Sequence, residues 1–220
     1  MGADALLTRP IALVVALALV SLLPFVFMSL TAFVKISTVL QIAKSALGAQ
    51  SVPSSTVMMA LAAALSLLAM APVGEKIAFR ARPLLEAKLE TRELVERGID
   101  AVREPLREFL SANASDKEKV RFLQVARQAR PEAERAKLTD RDLTILAPAF
   151  VVTELTEAFA IGFLIFLPFL VLDLVVSNVL LALGMQMLNP TQVSLPFKLL
   201  LFVAIDGWGL LAQALVSGYR

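Results

Sequence analysis

The stretch from Leu143 to Leu188, LTILAPAFVVTELTEAFAIGFLIFLPFLVLDLVVSNVLLALGMQML, decides how this chain must be read. It holds no lysine or arginine, and its only acids are Glu154, Glu157 and Asp173. As one helix it would run to about 69 Å, more than twice a hydrocarbon core of about 30 Å. The run therefore has to break or fold back, with Pro148, Pro168 and Gly184 as candidate breakpoints. Thr139-Asp140-Arg141-Asp142 just upstream reads as a capping-box-like helix start. Downstream, Asn189-Pro190-Thr191 makes a turn before a last apolar segment from Leu195 to Tyr219.

The N-terminal flank has the same character. Ile11 to Leu47 is almost continuously apolar, and as one helix it would span about 55 Å. Pro24 offers a kink or break, and Gly48 a helix C-cap before the turn Gln50-Ser51-Val52-Pro53. The next run, Thr56 to Ala71, is slightly short for a comfortable crossing, and Pro72-Val73-Gly74 closes it. Arg9 ahead of Ile11 invites a signal-peptide reading. The only early small-x-small match, Ala16-Leu17-Ala18, leaves an apolar region too short for one, so an uncleaved membrane segment is expected.

Between the flanks the composition flips. Of the 21 lysines and arginines, 16 lie between Lys76 and Arg141, and 14 of the 19 acids lie between Glu75 and Asp142. With 58% hydrophobic and 18% charged residues, such segregation marks a membrane protein with a polar insert rather than a greasy soluble core. In the insert, Val95, Ile99, Val102, Leu106 and Leu110 recur at the steps of an amphipathic helix. Ser115-Asp116-Lys117-Glu118 reads as a capping box opening a second helix, with Val120, Leu123 and Ala126 on one face and Pro131 ending it. Nothing alternates with period two. The fold expected is an all-α membrane protein in three parts: an N-terminal apolar hairpin region (1–74), a small helical insert (75–142) and a C-terminal apolar hairpin region (143–220). Short loops report topology better than long ones, and Lys35, Lys44 and Lys198 place their connections in the cytoplasm and the insert outside.

Function classes fall away on the same counts. A formal charge of +2 with interleaved acids gives no nucleic-acid footprint. The chain has no cysteine and no histidine, which removes disulfides, thiolate nucleophiles, Cys- or His-bound metal and the usual proton shuttle. No phosphate-binding glycine loop is present. Neither an enzyme nor a cofactor is implied.

What remains are charges in apolar surroundings: Lys35, Glu154, Glu157, Asp173 and Asp206, with Lys198 at a segment edge. Each costs about 2.5 to 3.5 kcal/mol at a bilayer centre, so such residues pair, face water or lie near an interface. Inter-helix or inter-subunit pairing, for example of a carboxylate with Lys35 or Lys198, is one role and pore lining another. Glu154 and Glu157, three apart on one helix face, also fit a proton relay in a small-solute transporter. Acid-dyad hydrolysis is a further reading, although Asp173 and Asp206 lack the glycine motif such an acid would resemble. Met185 and Met187 flank Gln186 in a flexible, polarisable cluster, although two methionines in a chain with seven carry little weight alone.

Longer blocks carry a resemblance. Pro148-Ala149-Phe150-Val151-Val152-Thr153-Glu154-Leu155, Ala158-Phe159-Ala160-Ile161-Gly162-Phe163, Leu167-Pro168-Phe169-Leu170-Val171-Leu172-Asp173-Leu174, Leu183-Gly184-Met185, Leu195-Pro196-Phe197-Lys198-Leu199-Leu200-Leu201-Phe202 and Asp206-Gly207-Trp208 together resemble the signature of the FliP/SctR family. Leu23-Pro24-Phe25, Ala46-Leu47-Gly48, Gln50 and Pro53 are similar to the same family. These are export-gate proteins of flagellar and virulence-type type III secretion systems. The resemblance implies a homo-pentamer joined by SctS/FliQ-type and SctT/FliR-type subunits, with a SctU/FlhB-type switch protein alongside. Unfolded proteins would pass through its centre. It places the chain in the bacterial inner membrane, multi-pass and in contact with lipid, with part of the assembly projecting into the periplasm. Broken hairpins packed on neighbours would explain segments of the wrong length. By motif position Met185, Gln186 and Met187 form the pore gasket, with Gln186 departing from the flagellar run of three methionines. Glu154, Asp173, Lys198 and Asp206 match charged signature positions, which favours inter-subunit pairing, and the short N-terminus fits the virulence-type branch.

Overall fold

The computed structural model describes residues 14, 17–18, 20–22, 24–49, 53–86 and 91–219. The expectations placed on Arg9, Ile11, Ala16 and the turn residues Gln50 to Val52 lie outside them. Among the described residues the chain is helix joined by turns, without a strand. The helices are α1 (Val20–Leu30), α2 (Phe33–Leu47), α3 (Ser55–Ala69), α4 (Ala71–Glu86), α5 (Thr91–Asn113), α6 (Asp116–Gln128), α7 (Glu132–Arg135), α8 (Leu143–Ala182), α9 (Pro190–Ala204) and α10 (Gly207–Ser217).

Three of the four apolar segments are broken in mid-course, and the breaks have identifiable chemistry. The first segment bends by 66° between α1 and α2. Pro24 lies inside α1, so the break falls not there but at Thr31 and Ala32. Just before it, the Ser29 and Thr31 hydroxyls each donate to a carbonyl four residues back, both at 2.6 Å, drawing acceptors out of the ladder. The second segment bends by 56° at Met70. Pro72 does not stop the helix there; it occupies the first turn of α4, where its missing N–H has no intrahelical partner to lose. The boundary expected at 74/75 therefore falls inside α4. The fourth segment bends by 58° at Ile205 and Asp206, where Asp206 adopts φ 51°.

Of the three breakpoints expected in the third segment, Pro148 and Pro168 do not break it and Gly184 does. α8 runs unbroken for 40 residues through both Pro148 and Pro168, about 60 Å. Each proline removes one backbone hydrogen bond, yet the flanking turns are held by packing, with Phe150 and Phe169 buried beside them. Only Gly184 ends the run. It takes φ 72°, its N–H donates to Leu181 and the Met185 N–H reaches back to Leu180 at 2.9 Å. Gly48 closes α2 as expected, at φ 73° with its N–H on the Ser45 carbonyl.

Helix starts are read less well by sequence. Ser115 caps α6 by accepting from the Glu118 N–H, but the reciprocal half of the box is missing. Glu118 instead pairs with Arg121 at 2.9 Å, and the Ser115 N–H donates to Thr153 Oγ1 of α8 at 3.0 Å. Upstream of α8, the helix begins after Asp142 rather than at Thr139; Asp142 Oδ2 accepts from the Thr139 N–H at 3.0 Å, forming a turn that precedes the helix.

α8 is the axis around which the rest is arranged. α2 lies parallel to it: Lys35 sits level with Glu154, Ile42 with Gly162 and Leu47 with Phe169. α9 returns antiparallel and α10 continues its course towards the start of α2. The insert docks through Phe109, Leu110 and Ala114, which pack on Leu146, Ala149 and Phe150. Its expected apolar stripe divides there: Leu110 is buried, while Val95, Ile99 and Val102 are exposed. On α6, Leu123 and Ala126 are half-buried but Val120 is exposed. Lys76 bonds Glu108 at 2.8 Å between α4 and α5 and holds that carboxyl below its ordinary range.

Gly162 sets how closely α2 and α8 approach. A Cβ there would lie 2.5 Å from Ile42 Cδ1 and 2.8 Å from its Cγ2. Gly162→Ala is expected to cost about 1–3 kcal/mol, read by thermal unfolding in detergent. Ile42→Ala introduced with it should recover part of the loss. An unchanged Gly162→Ala protein would show that this approach is not a constraint.

Candidate functional site

The bend before α2 brings Lys35 against the carboxylate face of α8. Lys35 and Glu154 are both buried, Glu154 completely, whereas Glu157 is half-exposed. Lys35 Nζ donates to Glu157 Oε2 at 2.7 Å. It also lies 3.1 Å from Glu154 Oε1, an ionic contact without hydrogen-bond alignment. One ammonium thus serves two carboxylates.

Tyr219 completes the cluster. Its hydroxyl lies between two acceptors, Glu154 Oε2 and the Ala32 carbonyl (3.1 Å), which share its single proton. The ring stacks on Phe109 of the insert with centroids 5.9 Å apart, and Lys35 Nζ stands 4.4 Å above its centre. One side chain thereby ties the α1–α2 break, the midpoint of the network on α8 and the insert together. Nearby, Thr31 Oγ1 lies 3.2 Å from Ser66 Oγ, linking that break to α3.

A second cluster fastens the other end of α2. Lys198 of α9 is buried and donates to Asp173 Oδ2 at 2.6 Å and to the Ala46 carbonyl at 3.3 Å. The Ser194 hydroxyl donates to the other oxygen of Asp173. A cation at the carbonyl end of α2 also complements the helix dipole. Both lysines named from the sequence therefore meet carboxylates of α8 within the chain.

The remaining candidates stand apart. Met185 and Met187 sit in the α8–α9 turn, half and almost fully exposed, with Gln186 exposed between them. Gly184 ends α8 before this turn. Asn189 starts α9 after it, its side chain accepting from the Thr191 N–H at 3.0 Å, with Pro190 at the first position. Asp206 is exposed at the α9–α10 bend and makes no ion pair among the described residues. Beside it, a Cβ at Gly207 would strike the buried Phe202 ring, whereas one at Gly209 would meet only the carboxylate of exposed Asp206.

Sequence reading passed over Tyr219, Ser194 and Thr153. The signal for Tyr219 was that the chain's one tyrosine closes an apolar segment, where its polar tip needs a partner. Chemically, the clusters are structural ion pairs. Lys35 lies between Glu154 and Glu157, which is unlike two acids sharing a proton. No group of three or more acids, histidines or cysteines stands ready for a metal among the described residues.

The model of the FliP family matches residues 16–215. The chain belongs to that family. It is 46% identical over 209 residues to a hypersensitivity response secretion protein, HrcR, of Ralstonia nicotianae, covering 94% of this chain and 96% of that one. It is 45% identical over 210 residues to the Yop proteins translocation protein R of Yersinia pestis, covering 94% and 95%. The flagellar biosynthetic protein FliP of Bacillus subtilis is 38% identical over 208 residues, covering 94% and 90%. The relatives thus divide between flagellar and virulence-associated systems. FliP-family proteins are core export-gate subunits of type III secretion, channel components rather than enzymes, and this chain is one of them.

Lys35→Met should be strongly destabilising, by about 3–5 kcal/mol, because it strands the buried Glu154 carboxylate. Adding Glu154→Gln should restore much of that loss, and Tyr219→Phe alone should cost about 1–2 kcal/mol. Denaturant unfolding of the parent, Lys35→Met, Glu154→Gln and the Lys35→Met/Glu154→Gln double variant forms the double-mutant cycle that checks this, with Tyr219→Phe measured beside it; additive losses would show that Lys35 and Glu154 are not coupled.

Proposed function

We propose that this FliP-family subunit forms, with copies of itself in a pentamer and with SctS/FliQ-type, SctT/FliR-type and SctU/FlhB-type partners, the pore of an inner-membrane export gate passing unfolded polypeptide. The observation that carries the reading is α8. Its most apolar 18-residue window is only 11% buried by the rest of the chain, and the helix is about twice as long as a bilayer core is thick. Lipid alone does not cover such a length, so neighbouring subunits cover the remainder. In this arrangement the insert and the adjoining part of α8 project into the periplasm; Lys44 in the last turn of α2 supports that orientation, whereas Lys35 and Lys198 are buried in ion pairs within helices and do not report on a loop. The higher identity to the two virulence-associated relatives favours that branch.

The Met185–Gln186–Met187 turn is the proposed gasket. Its support is presentation: capped helices on both sides fix the turn, and Met187 has almost no contact with its own chain. Thioethers are soft enough to seal against copies of themselves and to part around a passing chain. Asp206 and Glu157, on exposed surfaces, are proposed to face neighbouring subunits or the lumen, while Lys35, Glu154, Asp173 and Lys198 hold each protomer's hairpins in register. Met185→Ala combined with Met187→Ala is expected to raise ion leak through the assembled, reconstituted gate several-fold. Unchanged conductance would remove the gasket role.

A further inference from the structure

Sulfur enters this chain only as methionine, since it has no cysteine. Among the described residues the methionines differ widely in access. Met58 is buried and Met70 half-buried, while Met28 and Met59 are partly exposed on α1 and α3. Met187 is 99% exposed, with Met185 next at 49%.

The access of Met187 is set by the ends of the two helices around it. Gly184 stops α8 in the left-handed region at φ 72°, and the Met185 N–H bonds back to the Leu180 carbonyl at 2.9 Å. Asn189 and Pro190 start α9 directly afterwards. Closed at both ends, so short a turn holds Met187 clear of its own chain. Between Asp173 and Lys198 the sequence holds no ionisable side chain and no other readily oxidised one, so the two thioethers are the reactive groups of this tip.

A thioether gives up two electrons to a peroxide. A sulfur lone pair attacks one oxygen, the O–O bond breaks, and the proton left on that oxygen passes to the departing hydroxide. Methionine and hydrogen peroxide thus become methionine sulfoxide and water, and return to the thioether needs a sulfoxide reductase. The product carries a polar, hydrogen-bonding oxygen where there was a soft, apolar sulfur.

We propose that Met187 is a site of oxidation by small neutral peroxides, and that its sulfoxide loosens the seal of the 185–187 turn. The second half rests on the gasket reading. Copies of the turn apposed across a pore are wetted from the lumen, and hydrogen peroxide, little larger than water, reaches them by that route. A sulfoxide oxygen then draws water into a ring that thioethers close by apolar contact.

The test uses the assembled, reconstituted gate treated with hydrogen peroxide. Peptide mapping by mass spectrometry follows the sulfoxide at each methionine of this chain, and conductance follows the leak. Met187 is expected to oxidise first, about tenfold faster than Met58, with leak rising several-fold as its sulfoxide accumulates. Met187→Leu has similar volume and no sulfur. It is compared with itself before and after peroxide, so that any change in its resting leak cancels, and it should lose most of the rise. A rise of parental size in Met187→Leu would overturn the proposal, because the sensitive group would lie elsewhere. A Met187 that stays reduced while Met58 oxidises would overturn it as well. Full oxidation of Met187 without added leak would remove the effect on the seal, while leaving the gasket reading intact if Met185→Ala with Met187→Ala still raises leak. If that pair also leaves conductance unchanged, the gasket reading fails and the proposed loosening falls with it.

Discussion

The structure depends on the buried ammonium of Lys35. Lys35 has to be placed where α2 meets α8, and Glu154 beside it is fully removed from solvent. An ion of either sign in such surroundings is unfavourable alone, so each fixes the position of the other. That mutual requirement sets the register of α2 on α8, with the close approach of Ile42 to Gly162 about two turns further along. It also explains why the first apolar segment bends. The bend at Thr31 and Ala32 exposes the Ala32 carbonyl to the Tyr219 hydroxyl, and the same hydroxyl serves Glu154. Bend, ion pair and insert docking therefore belong to one network rather than to three separate features.

A second such network at Asp173, Lys198 and Ala46 repeats the logic at the opposite end of α2. Between the two, α2 is held at both ends, and the hairpin of α8 and α9 beyond them is left to present its turn. The division of labour is physical: charges inside the protomer spend their pairing on register, while the turn at 185–187 and the long face of α8 keep their surfaces uncovered.

Much of this was legible in the sequence, for reasons that differ by element. Segregation of charge separated the insert from the apolar flanks, and segment lengths that misfit a bilayer signalled broken hairpins. Those are sums over many residues and are insensitive to any one of them. Gly48 and Gly184 were readable because only glycine takes their left-handed conformation without cost. A break at Pro168 was not, because a missing hydrogen bond is outweighed where a neighbouring turn is packed, as at buried Phe169; nor was the first bend, which passes over Pro24 in α1 and follows Ser29 and Thr31, whose hydroxyls compete locally. The capping box at Ser115 lost half its pattern to Thr153, a residue 38 positions away that no local reading reaches. Tyr219 was missed for the same reason, since its partners at Ala32, Phe109 and Glu154 are brought together only by the fold. Which lysine meets which acid was likewise open until α2 was seen to run parallel to α8.

The central claim is that α8 is an interface helix whose uncovered length belongs to other subunits. Native mass spectrometry of the complex, extracted in mild detergent with its neighbours, tests it most directly. The account predicts a defined assembly holding several copies of this chain together with other protein subunits. A homogeneous monomer, carrying only detergent and lipid, would contradict it.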